Sequence, residues 1–259
     1  MHFTAAEITA FLGGFLWPFF RIGAMLMAAP IFGAQTVPPR VRLGLAFLIT
    51  LVVAPMLPAQ PAVDPLSLSA VVIIVQQVLV GAVMGFALQL VFSTVIAGAQ
   101  VIAMQMGLGF AEMVDPANGQ QTPVLGQFYL IFTTLVFLAM NGHLLLVELV
   151  IESFDTLPVG PVGLDRDAYH VLAGWGTHMF AGAVWLALPA VASLLVVNAA
   201  FGVMSRAAPQ INIFSVGFPV AMIMGFSVLL IAAQSITPQF MSITEQMFDI
   251  LRRVLGGGD

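Results

Sequence analysis

The chain has no cysteine and no lysine, and only 7% of its 259 residues are charged. The missing cysteine excludes disulfides, thiolate metal sites and cysteine nucleophiles, and carries no message about compartment. Seven arginines face twelve acidic residues, for a net charge of −5, so there is no basic surface for nucleic acid. A soluble domain of this length would need roughly a quarter of its residues charged to cover its core. What is present instead is 60% hydrophobic residues and a mean hydropathy of +1.06. Such a chain is expected to be an all-α, membrane-associated protein, covered by membrane lipid or by partner chains. The N-terminus lacks the positive region of a signal peptide. Glu7 precedes the first apolar run and Arg21 lies inside it, so the segment is expected to be retained.

Charges and prolines divide the chain into blocks that read as helices, since a bilayer core takes about 20 apolar residues. The first runs from about Ile8 to Phe32, with Trp17 and Pro18 marking a kink or an interfacial anchor, and Pro30 with Gly33 marking its end. An Arg40/Arg42 loop leads to a second block, Leu43 to Leu57, closed by "PMLPAQPAVDP". Ser67 is expected to cap a third. From Leu66 to Ala111 there is neither charge nor proline, and a helix reaching Met106 would be about 60 Å long, twice a bilayer core. Val124 to Met140 forms another block, followed by "NGHLLLVELVIESFDTLP". The next runs from Ala168 to Ser205, with Pro189 as a kink. The last starts near Pro219 and passes Pro238 into an amphipathic tail over about 239–259. Arg206 and the pair Arg252/Arg253 flank this final block on both sides, so the positive-inside rule gives no single orientation. Either the block is a re-entrant hairpin around Pro238, or the chain does not lie in the bilayer as an ordinary multi-span carrier.

Between two of the long blocks sits "GLGFAEMVDPANGQQTP", Gly107 to Pro123. Gly107 and Gly109 permit a bend or close approach, and Asp115–Pro116 opens a turn signature. Phe110 and Met113 are apolar and Glu112 is charged. Two readings stay open: a solvated interhelical turn, or a seal whose flexible methionine packs into a narrow opening. On the preceding block, Gly85, Gln89, Ser93, Gln100 and Gly107 fall on one helical face, and Gly81 forms a GxxxG spacing with Gly85. This stripe suits helix packing or a water-filled conduit. Glu148, Glu152 and Asp155 share another face, whose repulsion calls for water or for the arginines of a neighbour. Arg21, inside an apolar helix, must snorkel to an interface or pair with an acid of another chain. Arg206 with "PQINIF" forms a polar break that suits an ion site in a transporter or a subunit contact. His143, His170 and His178 have no ligand set, so no metal is expected. No nucleophile motif, phosphate loop or catalytic acid pair occurs, so neither enzyme activity nor a cofactor is expected. A small-solute secondary transporter would call for paired intramembrane carboxylates or an internal repeat, and neither is found.

Five strings together resemble the FliR family of the flagellar type III export gate: "RIGAMLMAAPIFG" with "VPPRVRLGLAFLITL", "GLGFAEMVDP", "NGHLLLVELVIESF" and "RAAPQINIFSVGFP". The resemblance spans nearly the whole chain, which then reads as one domain, 1–259. It implies a subunit of a helical hetero-oligomeric gate in the bacterial inner membrane, at the flagellar basal body, rising toward the periplasm. FliP-like and FliQ-like chains would build that gate, with FlhB-like and FlhA-like export proteins, and unfolded flagellar proteins would be the substrates. The resemblance also implies that the Gly107–Pro123 loop contributes to a plug of the closed channel. Arg21, Gly81, Gly85, Gln89, Gln100, Glu148, Glu152 and Arg206 are the candidate subunit contacts. The injectisome counterpart in virulence systems is similar in plan; "VDPANG" and "PQINIF" favour the flagellar system.

Overall fold

The computed structural model describes residues 5–61, 63–108, 124–207 and 213–256. Among the described residues the chain is helical, without strands. Helix α1 (Ala5–Ala28) carries Pro18 in its interior. It stops four residues short of the expected Phe32, because Pro30 has no N–H to continue the ladder and disfavours helical backbone at the residue before it. Helix α2 (Pro39–Val53) begins earlier than expected, with Pro39 at its first position, where a missing donor costs nothing. Arg40 and Arg42 therefore belong to its first turn and not to a loop. The Arg42 guanidinium donates to the carbonyls of Val37 at 3.0 Å and Ala34 at 2.6 Å, tying the connection to α1 in place. A 3₁₀ turn, Ala54–Met56, follows.

Helix α3 (Leu68–Gln105) is long and uninterrupted, as its lack of charge and proline predicts, and measures roughly 57 Å at 1.5 Å per residue. Ser67 caps it: the hydroxyl accepts from the Ala70 N–H at 3.2 Å. Its other end closes in a Schellman turn, with Gly107 at φ 81, its N–H on the Met104 carbonyl and the Leu108 N–H on the Ala103 carbonyl, both at 3.0 Å. Helix α4 (Val124–Ala139) bends through 65° into α5 (Gly142–Thr156). Asn141 makes the turn at φ 58, a conformation asparagine tolerates better than most residues.

Helix α6 (Arg166–Ala207) carries Asp167 in its first turn and Arg206 in its last, both matched to the helix dipole. Helix α7 (Ile213–Leu255) starts six residues before Pro219 and contains both Pro219 and Pro238. It bends by 59° between Ile231 and Gln234, one turn ahead of Pro238, whose ring displaces the carbonyl four residues earlier. A bend of this size suits a broken span or a re-entrant loop.

Among the described residues three helical stretches are long and apolar enough to cross a membrane, Pro39–Met56, Leu68–Gln105 and Arg166–Ala207, and the total is five if each of the two bent stretches counts as one span. Side-chain hydroxyls in these apolar helices return to the carbonyl four residues back, as in Thr50 to Ala46 at 2.7 Å and Thr133 to Tyr129 at 2.7 Å. These hydroxyls are thereby satisfied within their own helices and need no lipid or water partner. Large side chains remain uncovered, including Val52 at 70%, Trp185 at 68% and Leu230 at 76% exposure. An apolar surface of that extent needs lipid or protein against it.

The chain forms two compact units. The first is built from Met1–Leu90, Leu138–Trp175 and Thr244–Asp259, the second from Val91–Phe137 and Gly176–Ile243. In the first, α1 and α2 pack together, with Phe15 edge-on to Phe47 at 5.1 Å. Trp17 is fully buried against Ala70 and Ile73, and Val63 and Val159 close over this cluster. Trp17 is thus a core anchor and not an interfacial one; its indole N–H points at the Pro61 carbonyl, 3.4 Å away. In the second unit, Phe92 of α3 meets Phe137 at 5.7 Å and Phe240 at 5.5 Å, both edge-to-face. There α3 and α6 approach on glycine: a Cβ on Gly98 would lie 2.9 Å from the Ala183 carbonyl oxygen, and one on Gly182 would lie 2.8 Å from the Thr94 methyl.

Candidate functional site

Within the first unit, α1 and α3 cross at the GxxxG pair. A Cβ on Gly81 would collide with the Arg21 carbonyl oxygen, and one on Gly85 would lie 2.5 Å from the Met25 carbonyl oxygen and 2.6 Å from the Ala28 methyl. The small residues that sequence spacing singles out for helix packing thus receive a helix of their own chain. Gln89 and Gln100, further along the same stripe, are half-buried.

The close crossing delivers Arg21 into the interior, where it is fully buried. Its Nε donates to Gln77 Oε1 at 2.7 Å. Nη1 donates to the Ser153 carbonyl at 2.7 Å and to Ser153 Oγ at 2.9 Å. Nη2 donates to the Leu157 carbonyl at 2.9 Å, and the guanidinium carbon lies 4.0 Å above the Phe154 ring. Arg21 therefore neither snorkels nor meets an acid. Among the described residues no carboxylate forms an ion pair with it. Neutral acceptors at the C-terminal end of α5 take its place, because the helix dipole makes those carbonyls a partial negative charge. Gln77, Ser153, Phe154 and Leu157 carry no local signal of this role, lying 56 to 136 residues from Arg21.

The acidic face of α5 is solvent-exposed at Glu148, Glu152 and Asp155. Glu152 pairs with Arg252 of α7 at 3.5 Å, both side chains about half exposed. An exposed pair of this kind contributes about 0 to 1 kcal/mol. Beside it lies a cleft of about 320 Å³ lined by Leu149, Glu152, Ser153, Thr156, Arg252 and Leu255. So one arginine of this same chain meets the acidic stripe.

In the second unit an apolar groove of about 470 Å³ runs between α4 and α7, lined by residues including Leu108, Val124, Phe128, Tyr129, Phe226 and Leu230. Leu108 and Val124 are the residues on either side of the loop that carries Gly109, Phe110, Glu112, Met113, Asp115 and Pro116; these six lie outside the described residues. Gly107, the loop's first member, performs the turn expected of it. Arg206 is exposed in the last turn of α6, and residues 208–212 of its polar break also lie outside the described residues.

Comparison with known proteins gives a consistent result. The profile of the bacterial export proteins, family 1, matches residues 12–247. A flagellar biosynthetic protein FliR from Escherichia coli K12 is 37% identical over 98% of this chain and 97% of its own length. The protein of that name from Pectobacterium carotovorum is 36% identical over the same shares. That from Bacillus subtilis is 29% identical over 93% of this chain and 94% of its own. Matched from end to end in this way, the chain belongs to the bacterial export proteins, family 1, and within them to the FliR family.

Proposed function

We propose that the chain is a non-enzymatic subunit of the flagellar type III export gate in the bacterial inner membrane. Together with FliP-like and FliQ-like chains it forms the channel through which unfolded flagellar proteins leave the cytoplasm, and its Gly107–Pro123 loop closes that channel at rest. FlhB-like and FlhA-like proteins serve the same apparatus, and energy comes from those other components. The assembly stands at the flagellar basal body and projects toward the periplasm.

The single observation that carries this reading is the end-to-end match to proteins named for flagellar biosynthesis. Physical support comes from the many large apolar side chains left exposed on α2, α6 and α7, which require company. Expressed with its neighbours, the tagged chain is expected to retain FliP-like and FliQ-like chains through purification and to restore filament assembly in cells lacking their own FliR protein. Expressed alone, it is expected to aggregate outside detergent. A monodisperse lone chain that ignores those neighbours would count against the gate.

The acidic stripe gives a second check. Within the chain, reversing Glu148 and Glu152 to lysine removes one exposed pair and places positive charge at the C-terminal end of a helix, two effects of opposite sign and about 1 kcal/mol or less each. The double variant is therefore expected to melt close to wild type. If the stripe serves a neighbouring subunit, recovery of the complex will fall by more than those terms predict. Undiminished recovery assigns the stripe to water and Arg252.

A further inference from the structure

Helix α5 holds three acids, Glu148, Glu152 and Asp155, the last two within its final five residues, and its last turn has no basic residue of its own. Acids at that end oppose the helix dipole and weaken the final turn. The compensating charge comes from α1, whose Arg21 fork occupies the carbonyls of Ser153 and Leu157. The Ser153 carbonyl also accepts the Leu157 N–H at 3.0 Å, so the guanidinium sits on the bond that closes the helix. The strap that follows, residues 157–165, has two further fastenings. Val159 rests on the Trp17 cluster, one turn before Arg21 along α1, and Gly163 abuts the amide of Gln76, next to Gln77.

We propose that Arg21 is a latch: it holds the last turn of α5 and the 157–165 strap closed upon α1 and α3, and this segment opens locally when the latch is undone. Opening stays local because the α1–α3 crossing has its own supports, the glycine contacts at Gly81 and Gly85 and the burial of Ile22, Met25, Leu26 and Met84. Water lies close by, since the 320 Å³ cleft reaches the exposed Thr156, next to Leu157, while Ser153 stays fully buried with the latch closed. Carbonyls released by the guanidinium can be hydrated there, which an apolar interior would not permit. The three fastenings converge on one short segment, and only the Arg21 fork is charge-assisted.

The absence of cysteine makes the test clean. Val159→Cys reports on the strap and Ala99→Cys, fully buried in the second unit, reports on the rest of the fold. Each is placed singly in the full chain, co-expressed with its neighbouring subunits in membranes and labelled with a maleimide. Arg21→Met is expected to raise the labelling rate at position 159 about tenfold or more, the scale set by losing hydrogen bonds to a charged group. Arg21→Lys is expected to fall between, since it keeps the charge and loses the fork. Position 99 is expected to stay protected throughout. Gln77→Leu removes the Nε acceptor without touching α5; it is expected to raise labelling about fivefold, and it carries the test where Arg21→Met does not accumulate. Unchanged labelling at position 159 would overturn the latch. So would a parallel rise at position 99, which would make Arg21 a general packing residue.

Discussion

A valine at Gly81 is expected to deplete the chain from the membrane fraction, while an alanine at Gly174 is expected to leave its level intact and raise its apparent Tm in detergent. At Gly81 the new Cβ meets backbone and nothing that can swing aside: the Arg21 carbonyl, with the Met25 nitrogen 3.0 Å away. Overpacking that side chains can absorb costs about 1 to 3 kcal/mol. Here relief requires the two helices to separate, which uncovers Ile22, Met25 and Met84 and draws Arg21 away from Gln77 and Ser153. A loss at or above that range is a large part of the roughly 5 to 15 kcal/mol that holds a folded protein together. At Gly174, within α6, a Cβ has no heavy atom within 4 Å, and alanine gains up to about 1 kcal/mol of helix propensity over glycine. Membrane-fraction levels and melting of the detergent-solubilised complex measure both. If Gly81→Val accumulates and melts like wild type, the close crossing of α1 and α3 does not govern stability.

Deleting Gly109 to Met113 is expected to leave the complex assembled and to let ions leak across the inner membrane. The deletion starts beyond the Schellman turn, so the Gly107 and Leu108 bonds that end α3 stay in place, and α4 still begins at Val124. Shortening a loop by a few residues changes its closure entropy by less than about 1 kcal/mol, and the helices on either side keep their packing. What is removed is Phe110 and Met113, the apolar pair proposed to close the channel. Ion conductance and membrane potential in cells carrying the assembled deletion complex read the outcome. Wild-type values would mean that the segment only connects two helices, and lost assembly would mean that it supports packing.

Arg21 shows where reading residues in order stops. That a buried arginine needs partners follows from its cost in an apolar helix, and that much is legible in "FFRIGAML". The expected partner, an acid or an interface, was the wrong class, because a helix C-terminus announces itself only once α5 is seen to end beside α1. Acceptors made of backbone carbonyls leave no trace in residue identity.

By itself the sequence determined what local chemistry governs. The scarcity of charge required a lipid or protein covering, and an uninterrupted apolar run produced the 38-residue α3. Ser67 and Gly107 set the ends of α3, since caps depend on groups within a turn of one another. The arrangement was decided only in three dimensions. Helix α3 has no charged face to set against an apolar one, and its stripe of glycines and small polar residues does not say which helix it receives. Each compact unit draws on segments far apart in the chain, and contacts such as Arg21 with Leu157, 136 residues apart, follow from how whole helices pack and from no pattern a window of sequence can hold.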